Sequence, residues 1–292
     1  MKNLTRREMM GTGLAGAALL VAGKTFAENE ETTPQFSLPE GFKGRVKQSV
    51  SKWCYGNYPL EEFCHICKSI GMVGVDLIMP NDWELVGKCG MVVTMGSLPD
   101  VEIVTGINYV ENHERIIASY EKYIPMAAEL HVPNVISLSG NRKGLDDENG
   151  AKNCVTALKK IAAIAEKYKV NVALELLNSK DHVDYQNDHT AWGAEVCYKV
   201  GSERVKLLFD IYHMQRMDGD IIYNIKKYSD VIGHYHTAGC PGRNDLDDTQ
   251  ELYYPAIIKA ILETGYQGYI AHEFIPKDGL QSLYNAVKVC DV

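Results

Sequence analysis

From about residue 45 the chain alternates between short apolar runs and amphipathic stretches. Residues 46–53, 73–79, 91–95, 135–138, 170–177, 205–211, 231–237 and 268–274, most of them apolar runs, read as strands. The stretches between and after them, 60–70, 83–88, 113–130, 151–168, 189–200, a segment within 220–228, 254–264 and 280–289, read as helices. In one of these, Val155, Leu158, Ile161, Ala162 and Ala165 form a single stripe, the spacing that buries one helical face. Near-continuous apolar strands separated by helices are what a parallel sheet covered on its outer face requires. Eight such units in about 240 residues predict an α/β fold, a single closed (β/α)8 TIM barrel over residues 45–292. An open doubly wound sheet would call for a glycine-rich phosphate turn after an early strand, and none follows any of these runs.

The first 44 residues follow a different rule. Lys2, Arg6 and Arg7 precede a Gly/Ala/Leu-rich segment, and Thr25-Phe26-Ala27 places small residues before a cleavage point. Residues 1–27 therefore read as an export signal, and Thr5-Arg6-Arg7-Glu8-Met9-Met10 resembles the twin-arginine type, which predicts a periplasmic protein. Residues 28–44 are polar and Pro/Gly-dotted and read as a linker. Without residues 1–27 the chain holds 26 Lys and Arg against 37 Asp and Glu, a net charge of −11. Such a surface repels polyanions and argues against nucleic acid and, after cleavage, against membrane as partners. Eight cysteines at this length are too dilute for a disulfide scaffold, and Cys64 and Cys67 share helical spacing with Phe63 and Ile70, so they read as core.

The chemistry is concentrated in the second half. Glu175 closes VALE, Asp210 closes LLFD, His236 lies in IGHYHT and Glu273 follows YIAH. Buried ionised groups are stable only when paired, hydrogen-bonded or metal-bound. Each acid could have its own Lys or Arg, but four in successive strands favour one shared metal site. In a (β/α)8 barrel these positions fall at the carboxyl ends of strands five to eight, where active sites form. Three carboxylates and one imidazole suit one divalent ion, Mn²⁺ or Mg²⁺, with Co²⁺ or Zn²⁺ compatible through the imidazole. Among the three tryptophans, Trp83, which follows strand two, is the one expected to line a pocket.

ELLN (175–178), FDIYHMQRMDGD (209–220), IGHYHTAGCPGR (232–243) and HEFIP (272–276) resemble the xylose-isomerase-like sugar isomerase/epimerase superfamily, within it most of all the hydroxypyruvate isomerases. The resemblance implies that Glu175, Asp210, His236 and Glu273 hold a divalent metal. It further implies that Glu175 and Glu273 are the catalytic acid–base pair, and that His213, Arg243 and Asn178 face the substrate. His236 is glutamine in hydroxypyruvate isomerases of this type and histidine in ketose epimerases. The implied activity is isomerisation or epimerisation of a keto sugar or hydroxypyruvate-like acid by proton transfer through an enediolate. A lyase or hydratase acting on a 3-keto sugar would use the same residues. A phosphodiesterase resembling endonuclease IV would need further His and Glu ligands on strands two to four, which end instead in Met79-Pro80-Asn81, Met95-Gly96-Ser97 and Leu138-Ser139-Gly140. The expected partner is a small sugar or keto acid; a homo-oligomer is compatible with the sequence.

Overall fold

The computed structural model describes residues 36–292. The export signal expected over residues 1–27, and the linker up to residue 35, lie outside the described residues. Eight parallel strands close on themselves in chain order: β1 (Lys47–Ser51), β2 (Gly74–Ile78), β3 (Val92–Gly96), β4 (Asn134–Ser137), β5 (Asn171–Glu175), β6 (Val205–Asp210), β7 (Ile232–Thr237) and β8 (Tyr269–His272). Closure is made by β1, which pairs with β2 on one side and β8 on the other. The surrounding helices are α1 (Leu60–Ser69), α2 (Trp83–Lys88), α3 (His113–Glu129), α4 (Asp147–Tyr168), α5 (Thr190–Val200), α6 (Ile211–Met217), α7 (Ile221–Lys227), α8 (Tyr254–Glu263) and α9 (Gly279–Cys290). This is the (β/α)8 barrel that the alternation predicts.

Two cores result from the closed sheet. The larger lies between strands and helices and includes Phe63, Val75, Leu158, Ile161, Phe209 and Ile258, all buried. The smaller lies within the barrel, where Met95, Ile136, Ala173 and Leu208 meet. Cys64 and Cys67 pack in the outer core on α1, where burial pushes the Cys64 thiol up to about 12, and all eight cysteines are unpaired. His272 points away from the barrel axis. It is hydrogen-bonded to Thr237 and Gln48, and Gln48 in turn donates to the Val287 carbonyl of α9.

Helix termini explain where element boundaries differ from the sequence reading. α4 starts four residues earlier than the expected 151, because the Asp146 side chain accepts from the Asn149 backbone N–H and caps a polar first turn. α6 was not expected at all. Asp210 ends β6 and at once caps this helix by accepting from the His213 backbone N–H at 3.1 Å. The three-residue step from Asp210 to His213 is therefore a capping interval as well as a chemical motif.

Two helices end on residues in the left-handed region: Gly201 after α5 (φ +73°) and Lys169 after α4 (φ +58°). Only glycine adopts this conformation without a Cβ penalty of about 1–2 kcal/mol. Lys169→Gly should therefore raise stability and Gly201→Ala lower it, each by about 1 kcal/mol. Urea denaturation midpoints of the two variants should move in opposite directions from that of the parent chain.

Candidate active site

The barrel brings together the four residues that close strands in the sequence. Glu175 and Asp210 are the last residues of β5 and β6, His236 is next to last in β7, and Glu273 follows β8. The sheet register pairs Asp210 directly with His236, and all four side chains are buried. One donor atom from each lies within 4.8 Å of the donor atoms of the others. His236 Nδ1 sits 2.8 Å from Glu273 Oε2, 3.6 Å from Glu175 Oε1 and 4.0 Å from Asp210 Oδ2. Nevertheless His236 Nδ1 and Asp210 Oδ2 make no hydrogen bond. Buried polar atoms are rarely left so, and a group that converges on its neighbours without bonding them has the disposition of a cation ligand.

The electrostatics agree. Burial alone would raise the Glu273 carboxyl, but Arg243 and His236 outweigh it and hold Glu273 well below the usual range. Glu175 is pushed up by burial, reinforced by the charge of Glu273. Asp210 is pushed up to about 7 by burial, which Arg243 only partly opposes. Burial disfavours the His236 cation, yet Glu273, Asp76 and Glu175 together hold its proton affinity well above the ordinary value. Three carboxylates out of water face one guanidinium and one imidazole, so the protein groups alone leave Glu175 and Asp210 with raised proton affinities. A divalent ion among three oxygen donors and one nitrogen would relieve that repulsion, and the donor set fits one.

A fifth buried group, Asp76 of β2, sits beneath this cluster and was not picked out from the sequence. Its Oδ2 is 2.8 Å from His236 Nε2 and 3.3 Å from His234 Nε2, and its Oδ1 accepts from the Thr94 hydroxyl, which also meets Ser49. Burial would raise its pKa, but His234 and His236 lower it to about 2. An ionised Asp76 holds His236 by Nε2 and turns Nδ1 toward the three acids. The signal was present: Asp76 interrupts the apolar run VGVDLIM just as Glu175 and Asp210 interrupt theirs.

Arg243 reaches the cluster from the loop after β7. Its guanidinium donates to Glu273 Oε2 at 2.7 Å, lies 3.5 Å from Asp210 Oδ2, and stacks on Trp53 and Tyr212. His213 Nε2 stands 3.5 Å from Asp210 Oδ2 without a hydrogen bond. Its Nδ1 is held by the Asn178 backbone N–H and side chain. Asn178 thus orients His213; neither lies among the residues that line the cavity above the cluster. That cavity, about 430 Å³, is lined by Trp53, Ser97, Glu175, His182, Arg243 and Glu273 together with aliphatic side chains.

The expectation for Trp83 needs correction. Trp83 is buried in the outer core, its indole N–H donates to the Ile78 carbonyl, and its ring packs on Gly96 and edge-on to Tyr123. The chain turns outward immediately after β2, which carries Trp83 away from the barrel axis. Trp53, after β1, holds the pocket position instead, with its indole N–H donating to Glu273 Oε1 at 2.7 Å. His182 also lines the cavity, edge-on to His213, although no spacing in the sequence singles it out.

A family described as xylose isomerase-like TIM barrel matches residues 91–287. Among curated proteins, a putative hydroxypyruvate isomerase of Drosophila melanogaster is 27% identical over 197 residues, 66% of this chain and 75% of that protein. A 2-oxo-tetronate isomerase of Cupriavidus necator is 34% identical over 110 residues, 38% of this chain and 42% of that protein. The chain thus spans three quarters of the first relative and less than half of the second. Two solved structures share the fold: an AP endonuclease family 2 protein from Brucella melitensis and the 3-keto-D-glucoside 4-epimerase of E. coli. Their TM-scores are 0.74 and 0.71 at 20% and 18% identity, covering 82% and 84% of this chain and 95% and 98% of theirs.

Removing the carboxylate beneath His236 tests its role. Asp76→Ala leaves the Nε2 atoms of His234 and His236 unpaired in the barrel interior. Stability should fall by about 1–3 kcal/mol, read from denaturant midpoints. Calorimetric titration should show Mn²⁺ affinity reduced by about 10–100-fold, with Asp76→Asn intermediate.

Proposed function

The chain belongs to the xylose isomerase-like TIM-barrel family, and from that premise we propose that it is a metal-dependent isomerase or epimerase of an α-hydroxy carbonyl compound, a keto sugar or hydroxypyruvate-like acid. The observation that carries this reading is the convergence of Glu175, Asp210, His236 and Glu273 on one buried point at the floor of a cavity. Relatives named hydroxypyruvate isomerase and 2-oxo-tetronate isomerase support the reaction class. A phosphodiesterase finds less support: among the described residues, only Asp76 from strands β2–β4 joins a group able to bind metal.

Glu175, Asp210, His236 and Glu273 would hold the ion. Bound there, a divalent cation, Mn²⁺ or Mg²⁺ by the oxygen-rich donor set, supplies Lewis acidity to the oxygens of an α-hydroxy carbonyl. The remaining work falls to the chain's own groups. Glu273, held anionic beside Arg243 and fixed by the Trp53 indole, is placed to remove the carbon-bound proton. Arg243 offers its guanidinium to the enediolate oxygen that this step creates. Glu175, on β5 across the site from Glu273 and with its proton affinity raised by burial, is placed to return a proton. Return to the neighbouring carbon gives aldose–ketose isomerisation; return to the opposite face of the same carbon gives epimerisation. We also propose, from residues 1–27, that the enzyme is exported; Arg6→Lys with Arg7→Lys should retain it in the cytoplasm on cell fractionation.

The two roles separate by mutation. Asp210→Asn should weaken metal binding, and excess Mn²⁺ should restore part of the activity. Glu273→Gln keeps an oxygen donor but removes the base, so the rate should fall by about 10²–10⁴-fold at any Mn²⁺ concentration. Solvent deuterium exchange into the substrate C–H bond, followed by NMR across a metal titration, reads both. Near-parental exchange in Glu273→Gln would defeat the two-glutamate mechanism. Loss of a leaving group without exchange into recovered substrate would instead mark a lyase.

A further inference from the structure

The cavity above the metal-type cluster holds more polar groups than the cluster uses. Trp53, Glu175, Arg243 and Glu273 are committed to the cluster or to one another. The Trp53 indole N–H and the Arg243 guanidinium both donate to Glu273, and Glu175 Oε1 lies 3.6 Å from His236 Nδ1. Two further polar side chains line the same cavity, His182 from the loop after β5 and Ser97, which follows β3. Both are half-buried, and neither side chain makes a hydrogen bond among the described residues. The His182 ring stands edge-on to His213, with 5.4 Å between centroids, a contact that leaves its nitrogens unpartnered.

The backbone fixes where this imidazole stands. The His182 N–H donates to the Asn178 carbonyl at 3.0 Å, and the His182 carbonyl accepts from the Tyr185 N–H at 3.1 Å. The preceding Asp181 is tied to the Tyr212 hydroxyl at 2.6 Å and to the Asn178 side chain at 3.0 Å. Burial, and then the charge of Arg243, lower the proton affinity of His182. A neutral imidazole donates from one nitrogen and accepts at the other, so it can pair with a hydroxyl or a carboxylate. The remaining lining is aliphatic. Apolar walls carrying a few placed polar groups are the usual form of a small-molecule pocket, and those groups set orientation and specificity. The volume, about 430 Å³, falls within the range of about 300–1,000 Å³ typical of such pockets and leaves room beyond the two reacting carbons.

We propose that His182, assisted by Ser97, is the specificity-determining residue of the site: it binds an oxygen on the part of the substrate that does not react, a hydroxyl of a ketose or the carboxylate of a keto acid. The proposal rests on the isomerase reading of the cluster and adds how the rest of the substrate is recognised. The reacting carbons lie over Glu175, Arg243 and Glu273, the aliphatic side chains meet the C–H faces of the chain, and His182 and Ser97 replace the water that a remote oxygen gives up. Without such a partner, an oxygen buried against the aliphatic lining would lose solvation unrepaid.

The test compares dissociation constants, measured by calorimetry on the Mn²⁺-loaded protein, within two pairs of compounds. Xylulose is paired with 1-hydroxy-2-pentanone, which lacks the hydroxyls beyond the α-hydroxy ketone. Hydroxypyruvate is paired with 1-hydroxy-2-propanone, which has a methyl in place of the carboxylate. The parent chain should prefer the oxygenated member of at least one pair, and His182→Leu should shrink that preference by about 3–10-fold, the loss of one hydrogen bond. His182→Gln, which keeps a neutral donor and acceptor, should restore most of it, and Ser97→Ala should reduce it. A response in the xylulose pair identifies a hydroxyl as the bound oxygen; a response in the hydroxypyruvate pair identifies a carboxylate. A preference undiminished in His182→Leu overturns the proposal. So does a preference lost equally in His182→Leu and His182→Gln together with Mn²⁺ affinity, which marks a structural role. Deuterium exchange into the C–H bonds of the same compounds, followed by NMR, separates the two readings. Exchange with no response to His182 overturns the proposal and spares the isomerase reading. A response without exchange in any compound keeps the subsite and defeats the isomerase reading. No binding of any compound overturns both.

Discussion

The structure depends on keeping several ionisable groups out of water at one end of a closed sheet. Glu175, Asp210, His236 and Glu273 are all buried, and no one of them has a private counterion. Isolated, each would cost several kcal/mol or be neutralised. Their arrangement becomes tolerable because β5 to β8 are adjacent staves, so successive strand ends deliver opposite and like charges to one point. Arg243, brought in by the loop after β7, supplies part of the compensation, and a divalent ion would supply the rest. The apolar strands beneath are what lift those groups out of solvent in the first place.

The inside of the barrel is divided to serve this end. Toward β1, β2, β3 and β7 it carries a polar chain, from Ser49 through Thr94 and Asp76 to His234 and His236. Toward β3 to β6 it carries Met95, Ile136, Ala173 and Leu208. The polar chain satisfies one face of His236 and leaves the other free for the cluster. The aliphatic side continues upward into the cavity wall. One division of the interior thus orients His236 and shapes the half of the pocket that faces it.

The relation between strand ends and helix starts is equally economical. Asp210 closes β6, caps α6 and presents its second oxygen to the cluster. His213, one turn into that helix, is fixed by Asn178 from the neighbouring loop. A carboxylate held by a helix N-terminus cannot rotate freely, which preserves the spacing of the site. Trp53 does for Glu273 what the cap does for Asp210, by holding one carboxylate oxygen.

The periodicity of apolar residues by itself determined the eight-unit barrel, because a strand buried on both faces and a helix buried on one leave unmistakably different patterns. It also pointed to the four cluster residues, since a charge closing an apolar run is costly wherever the run is packed, although Asp76 carries the same mark and its role was not legible from it. Tertiary structure decided what those patterns leave open. Whether a tryptophan after a strand enters the pocket depends on the direction in which the chain leaves the sheet, and this sent Trp83 to the core and Trp53 to Glu273. Whether Asp76 meets His236 depends on closure of the barrel, which sets β2 across from β7 although 160 residues separate them. Such contacts across the barrel axis have no local period, so only the closed sheet brings them into being.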